Sequence, residues 1–374
     1  MRHVTHGGTE AARRTGPAVP SLAATLDRIA PRIPGQLIST EAASRIRRVA
    51  AGLPAALTHW IYFECRLSRD APRVDLSVRV DRRARDLLAG LNPAIRVDAR
   101  MRATSEWARV EAFARRWAGP TTALHDAVQH TWLEFDLVGD DIPVPRVFVD
   151  FAPQRMTAAG GSAPLHLAVE ALAPLLDSGV IARVARGLRV CFAALPDGAE
   201  VPYVGLLPAP HDREAVRVCV KGLCGAALAR YLRAVGWPGE LDELAPVLAA
   251  VAAARGDPPP SPAVVHLDIG ARPLPRIAFE YGLARRPQIR GEFPAAALLD
   301  SLVARGLCDP RKRAGLPFWP GCARENLAHE FWPSLMIRRV NHIKVVHQPG
   351  LPVEVKAYLS VSHEFWRAQP VSTE

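Results

Sequence analysis

Glu134-Phe135-Asp136-Leu137, followed by Pro145-Arg146-Val147-Phe148-Val149-Asp150-Phe151, has a second copy in His266-Leu267-Asp268-Ile269, followed by Pro275-Arg276-Ile277-Ala278-Phe279-Glu280-Tyr281. In both copies a short alternating run is answered by another after a turn, which is how a half-buried β-hairpin reads. The match points to duplication of a hairpin unit. Three further pairs flank these two: His59 to Ser68 with Arg73 to Val80, Leu188 to Ala194 with Val216 to Lys221 across a Pro-rich excursion, and His342 to His347 with Val353 to Val361. The strands of the quoted pairs run over Thr131 to Leu137 with Arg146 to Phe151, and Val264 to Ile269 with Arg276 to Leu283. Helical spacing fills the intervals at Arg82 to Leu91, Glu106 to Trp117, Pro164 to Leu176, Ala226 to Val235, Leu241 to Ala254 and Pro294 to Arg305. Helix and hairpin therefore alternate about five times.

Successive strand residues point to opposite sides of a sheet, so each strand presents two separate faces. One face is apolar throughout, as in Val74, Leu76 and Val78, in Leu133, Phe135 and Leu137, or in Val216, Val218 and Val220. The other mixes charge with aromatic rings: Trp60, Tyr62, Glu64 and Arg66; Asp75, Ser77 and Arg79; Trp132, Glu134 and Asp136; Arg217, Cys219 and Lys221; His266 and Asp268; His342 and Lys344; Glu354, Lys356, Tyr358 and Ser360. An open antiparallel sheet with one wet face accounts for simple alternation. About ten twisted strands tend to close or split, however, and exposed Trp and Tyr on a charged face favour closure. Eight strands already just fill their interior with side chains, so ten closed strands enclose a chamber lined by the polar, aromatic face. The expected fold is α+β: repeated αββα units forming a ten-stranded antiparallel β-barrel with helices outside.

This element order, over roughly residues 55–362, resembles the ABBA or PT-barrel aromatic prenyltransferases. Lys356-Ala357-Tyr358 resembles that family's Lys-x-Tyr strand motif. The resemblance implies a prenyltransferase moving an allylic prenyl group from its diphosphate to an aromatic or peptide acceptor. It implies that Glu64 positions the acceptor, and that Arg79, Lys221, Lys356 and Tyr358 sit at the diphosphate; a carboxylate so placed is also the candidate catalytic group that takes the acceptor's proton. Leu223 stands where a second Tyr is expected after Lys221, and five Tyr in the whole chain are too few for a complete tyrosine shield around a carbocation.

The charged residues also carry an argument of their own. Four of the 47 cationic residues are Lys, and Lys221, Lys344 and Lys356 lie on strands with polar-face parity, while Lys312 does not. An ammonium is a point charge for a phosphate oxygen and a guanidinium a planar fork, so Arg79, Arg217, Lys221, Lys344 and Lys356 together suit a diphosphate. Their other reading is pairing with Glu64, Asp75, Asp136, Asp268, Glu280 and Glu354 in a wet interior. Carboxylate partners for every cation would favour a non-catalytic barrel that binds a small molecule or peptide. Trp60, Tyr62 and Trp132 are candidates to contact the acceptor or shield a cation. His59, His130, His266 and His342 read as hydrogen-bonding residues near strand edges, without metal-ligand spacing. Mg²⁺ is a possible but not a required cofactor.

At 374 residues, 49% hydrophobic and 22% charged, the chain can bury a sizeable core. Half of the net +10 charge comes from the first fifty residues, and no nucleic-acid motif accompanies it. Residues 1–20 read as a loose basic tail, 21–57 as a helical segment, 58–366 as the barrel and 367–374 as a tail. No apolar run reaches a membrane span, no leader peptide is evident, and six scattered Cys form no zinc or disulfide pattern. A cytoplasmic monomer with reduced thiols is the expectation. Walker, GxGxxG, GxSxG and HExxH motifs are absent from the sequence.

Overall fold

The computed structural model describes residues 19–68, 73–139, 141–207, 215–223, 225–240, 264–283, 295–327 and 333–365, with positions 242, 243, 245, 248 and 288. Eleven strands lie in one sheet: β1 (Trp60–Arg66), β2 (Val74–Asp81), β3 (Val128–Phe135), β4 (Arg146–Phe151), β5 (Glu200–Leu206), β6 (Val216–Lys221), β7 (Val264–Ile269), β8 (Pro273–Gly282), β9 (Gly321–Glu325), β10 (Ser334–His347) and β11 (Glu354–Phe365). Strands β1 to β8 follow one another around the sheet; β8 then pairs with β10 and β10 with β11. The last strand returns to the first in antiparallel register, from Trp60 opposite Ser362 to Arg66 opposite Lys356. Ten strands thus close a barrel. The eleventh, β9, lies outside the ring on the first half of β10, whose second half pairs with β8.

Closure sorts the side chains as the alternation requires. Val74, Leu76, Val78, Leu133, Phe135, Val147, Val149, Val216, Val218, Leu267, Ile269, Ile277, Phe279, Val355 and Leu359 are almost wholly buried in one continuous core between strands and outer helices. The helix Ser105–Ala118 shows how such a layer is fixed. Its start is capped by the Thr104 hydroxyl, which accepts from the Trp107 amide, and its buried stripe is Trp107, Val110, Phe113, Ala114 and Trp117. Trp117 Nε1 donates to the Val128 carbonyl at 3.2 Å, tying the helix end to the start of β3.

Four expected hairpins are present with shifted ends, and the fifth needs correction. Leu188 to Ala194 is not a strand: Leu188 to Ala193 is the end of the helix Ser178–Ala193, and β5 lies after it. A six-residue segment, apolar but for Arg189, is ambiguous between the two states. Here Val180, Val184, Gly187, Leu188, Cys191 and Phe192 form the buried helical stripe, and Val190 faces water. The strand itself was masked in the sequence by Pro202 and by a register irregularity between Glu200 and Tyr203, which breaks period two. β9 was likewise not expected. The stretch Arg82 to Leu91 holds only a 3₁₀ turn and the short helix Arg85–Leu88, ended at Gly90 with φ 70°. The helix expected over residues 241–254 falls almost entirely outside the described residues, as do most of the tail 1–20 and all of 367–374.

Gly187 is where the helix Ser178–Ala193 meets the sheet. A Cβ there would stand 2.3 Å from the Gly270 carbonyl oxygen and 2.7 Å from Ile269 Cγ2, whereas one at Gly179 in the same helix would meet nothing within 4 Å. Gly187→Ala is therefore expected to lose about 1–3 kcal/mol of stability through overpacking. Gly179→Ala should be neutral or gain up to about 1 kcal/mol from helix propensity. Urea denaturation of the two variants checks the difference.

Candidate active site

The polar face becomes the barrel lumen, where side chains from neighbouring strands stand level with one another. Tyr62, Trp132, Glu134, Phe148, Tyr203, Cys219, His266, Glu280, Asn341, His342, Lys344 and Tyr358 line a cavity of ≈ 100 Å³. Gly205, opposite Phe148 across the β4–β5 pair, leaves room for that ring, since a Cβ there would lie 2.3 Å from it.

Strand register explains which groups meet. Glu64 faces Tyr358 across β1–β11 and Asp75 across β1–β2, while Lys356 faces Lys344 across β10–β11. Lys356 Nζ donates to Glu64 at 2.7 Å and lies 3.2 Å from Glu354. The Tyr358 hydroxyl donates to the other oxygen of Glu64, and Lys344 Nζ approaches that hydroxyl at 3.4 Å and Glu280 at 3.5 Å. Burial would raise the Glu64 carboxyl, but the charges of Lys356, Arg66 and Lys344 outweigh it and hold Glu64 well below the ordinary carboxylate range. Burial lowers Lys344, against the pull of Glu280.

An aromatic wall completes the site. Tyr62 stacks on Trp132 with centroids 4.7 Å apart and meets Tyr358 edge-on at 6.1 Å, and His342 stacks on Tyr358 at 4.0 Å. Of the five Tyr, Tyr62, Tyr203 and Tyr358 line the cavity; Tyr231 and Tyr281 belong to the core.

Not every candidate reaches this centre. Glu64, Tyr62, Trp132, Lys344, Lys356 and Tyr358 come together. Arg217 is luminal and buried but gripped by Asp268 at 2.7 and 3.0 Å. Arg79 sits near one barrel end, 3.0 Å from Asp81 and 4.4 Å over the Trp60 ring. Lys221, expected on the lumen wall, is instead 60% exposed at the end of β6 and paired with Glu200 at 2.7 Å. The last position of a strand leaves the side chain free to turn outward, so parity alone misplaces it. Each of the five candidate cations has a carboxylate neighbour. Tyr203 was missed because its strand was missed. Alternation placed Cys219, His266, Glu280 and His342 on the polar face, and the structure has all four lining the lumen cavity.

The duplicated hairpins carry equivalent ion pairs. Asp136 binds Arg146 of its own hairpin at 2.8 Å and Arg73 from before β2 at 2.8 Å. Asp268 binds Arg276 of its own hairpin at 3.4 Å and Arg217 of the preceding strand. Luminal carboxylates are thus held by Arg, Lys or His, and among the described residues no group of three or more His, Cys, Asp and Glu is arranged to hold a metal.

A barrel of ten antiparallel strands ringed by helices, with a charged and aromatic lumen, is the PT-barrel fold of the aromatic prenyltransferases. Solved structures match the chain over nearly its whole length. PriB prenyltransferase in ternary complex with L-tryptophan and dimethylallyl thiolodiphosphate aligns at TM-score 0.52 and 17% identity, covering 90% of this chain and 94% of that one. The 6-dimethylallyltryptophan synthase of Micromonospora olivasterospora aligns at TM-score 0.54 and 14% identity, covering 91% and 97%. The 5-dimethylallyl tryptophan synthase of Streptomyces coelicolor gives 0.50 and 19%, covering 94% and 96%. At such identities the likeness is one of fold. No family model and no curated protein sequence matches the chain. No described helix is long and apolar enough to cross a membrane.

The lumen also sets the response to acid. Burial, aided by the Lys344 charge, pushes His266 from 6.5 down to about 3. Between those values the unfolded chain binds a proton that the folded chain refuses, so this contribution to stability is whole above pH 6.5 and is lost as pH falls through the window. The depressed carboxylates Glu64, Glu280 and Asp268 add a loss as pH falls through their lower folded values. Urea midpoints are expected to drop from pH 7 to pH 5, at up to ~1.4 kcal/mol per unit from His266. His266→Gln should flatten that slope whatever its stability at pH 7.

Proposed function

We propose that the protein is a prenyltransferase that moves an allylic prenyl group from its diphosphate to an aromatic or peptide acceptor. The observation that carries the proposal is the meeting of Lys344, Lys356, Tyr358 and Glu64 beside the Tyr62–Trp132 wall inside a closed barrel. Lys344 and Lys356 bind the diphosphate oxygens. The carbon–oxygen bond breaks with its electron pair on the diphosphate, whose growing charge the two ammonium groups stabilise. The faces of Tyr62, Trp132, Tyr203 and Tyr358 shelter the allylic cation until an acceptor carbon forms the new bond and loses its proton to the released diphosphate. Glu64, held ionised by its cationic neighbours, orients an N–H or O–H of the acceptor rather than serving as a strong base. The tryptophan seen in the PriB complex is the first acceptor to try.

A second reading rests on an observation of its own. Arg79, Arg217, Lys221, Lys344 and Lys356 each have a carboxylate neighbour, and the space free to water is small. A barrel already neutralised in this way suits recognition of one small molecule without chemistry. For catalysis, the diphosphate must displace Glu64 and Glu280 from the two lysines.

Calorimetry with dimethylallyl and geranyl diphosphate separates these readings. Binding of either, weakened about tenfold or more in Lys356→Ala, with one prenyl unit of mass added to tryptophan, is the expected result. Binding of neither would remove the diphosphate proposal; undiminished binding by the variant would remove Lys356 from it.

A further inference from the structure

Cys219, His266 and Glu280 stand in line on three adjacent strands. Cys219 and His266 are directly opposite across β6–β7, and His266 is opposite Ala278 across β7–β8. The small alanine lets Glu280, two positions along the same face, reach diagonally to the imidazole. Sγ of Cys219 lies 3.2 Å from His266 Nδ1, and His266 Nε2 lies 2.7 Å from Glu280 Oε1. The thiol and the imidazole are 1% and 4% exposed, yet both border the cavity.

These distances fix the proton positions. Glu280, held well below the ordinary carboxylate range by His342, His266 and Lys344 against its own burial, is an acceptor only. The ring must therefore donate from Nε2. His266 is neutral at pH 7, so Nδ1 is bare and accepts the thiol proton. Burial pushes the Cys219 thiol well up, so the resting sulfur is protonated and gives up its proton as it attacks. A nucleophile hydrogen-bonded to a base, with the base oriented by a carboxylate, is the arrangement of covalent catalysis on several unrelated folds. Lys344, opposite Glu280 across β8–β10, supplies a positive charge that favours the Cys219 thiolate and disfavours a proton resting on His266.

We propose that Cys219, His266 and Glu280 form a nucleophilic thiol site that takes the acyl group of a small aromatic ester or thioester, independently of any prenyl transfer. Tyr62, Trp132, Phe148 and Tyr203 supply the aromatic walls. The Cys219 proton passes to His266 as sulfur bonds to the carbonyl carbon. Lys344 stabilises the oxyanion. The ester carbon–oxygen or thioester carbon–sulfur bond then breaks, and the leaving group takes the proton from His266. Water, deprotonated by His266, cleaves the acyl-cysteine to the acid and restores the thiol.

The full chain treated with iodoacetamide, which alkylates sulfur irreversibly with loss of iodide, tests the nucleophile by peptide mass mapping. Exposed Cys322 serves as the internal comparison. Cys219 is expected to be alkylated more slowly than exposed Cys322, because only the thiolate reacts and burial raises the thiol, and His266→Gln or Glu280→Gln should slow Cys219 a further tenfold or more without altering Cys322. Release of p-nitrophenol from p-nitrophenyl acetate should fall at least tenfold in Cys219→Ala. A Cys219 left unalkylated in the wild-type chain after Cys322 has reacted completely, a result that needs no variant to fold, would overturn the proposal. So would release equal to that of Cys219→Ala.

Discussion

A charge placed inside a closed barrel must find a partner there, and this constraint organises the protein. Alternation along each strand leaves no freedom: once the apolar face packs beneath the helices, Glu64, Asp75, Arg217, Asp268, Lys344 and Lys356 all point inward and are nearly buried. An unpaired ion in that setting costs several kcal/mol, and removing one member of a pair costs about 3–5 kcal/mol. The pairs accordingly link strand to strand: Arg66 between Glu64, Asp75 and Glu354, then Arg73 between Asp75 and Asp136, then Arg146 at Asp136 and Glu134. On the other side His266, Lys344 and His342 gather at Glu280. Buried charge in this molecule specifies register as well as chemistry, since a one-residue slip of a barrel strand would put a charged side chain into the apolar layer.

The same network sets the terms for ligands. Its cations are already neutralised, so an anion entering the lumen competes with carboxylates of the protein itself rather than with water. Tight binding then requires geometry better than that of Glu64 on Lys356. An acyl group with little charge faces no such competition at Cys219, which is hydrogen-bonded but not ion-paired.

Much of this was legible in the sequence because period two is rigid. Parity alone assigned Glu64, Tyr62, Trp132, Arg217, Lys344, Lys356 and Tyr358 to one face, and the equivalence of Asp136 with Asp268 reappears as equivalent Arg partners. What escaped had physical causes. Lys221 ends its strand, where parity no longer constrains a side chain. Tyr203 follows a proline and a register irregularity. Leu188 to Ala193 is short enough to suit helix or strand, and the wider stripe from Val180 was needed to decide. Cys219, His266 and Glu280 lie 47 and 14 residues apart in sequence, so no local motif joins them; only the register of three strands does.

The seam between β1 and β11 has a consequence for how the molecule is made. Glu64 and Lys356 are 292 residues apart, and their meeting is among the most distant contacts in the chain. Closing a loop of that length precedes any reward from the contact, which slows assembly. During synthesis the inward charges of the early strands stay hydrated until the final hairpin docks. The ribosome has released β11 before a chamber exists at all.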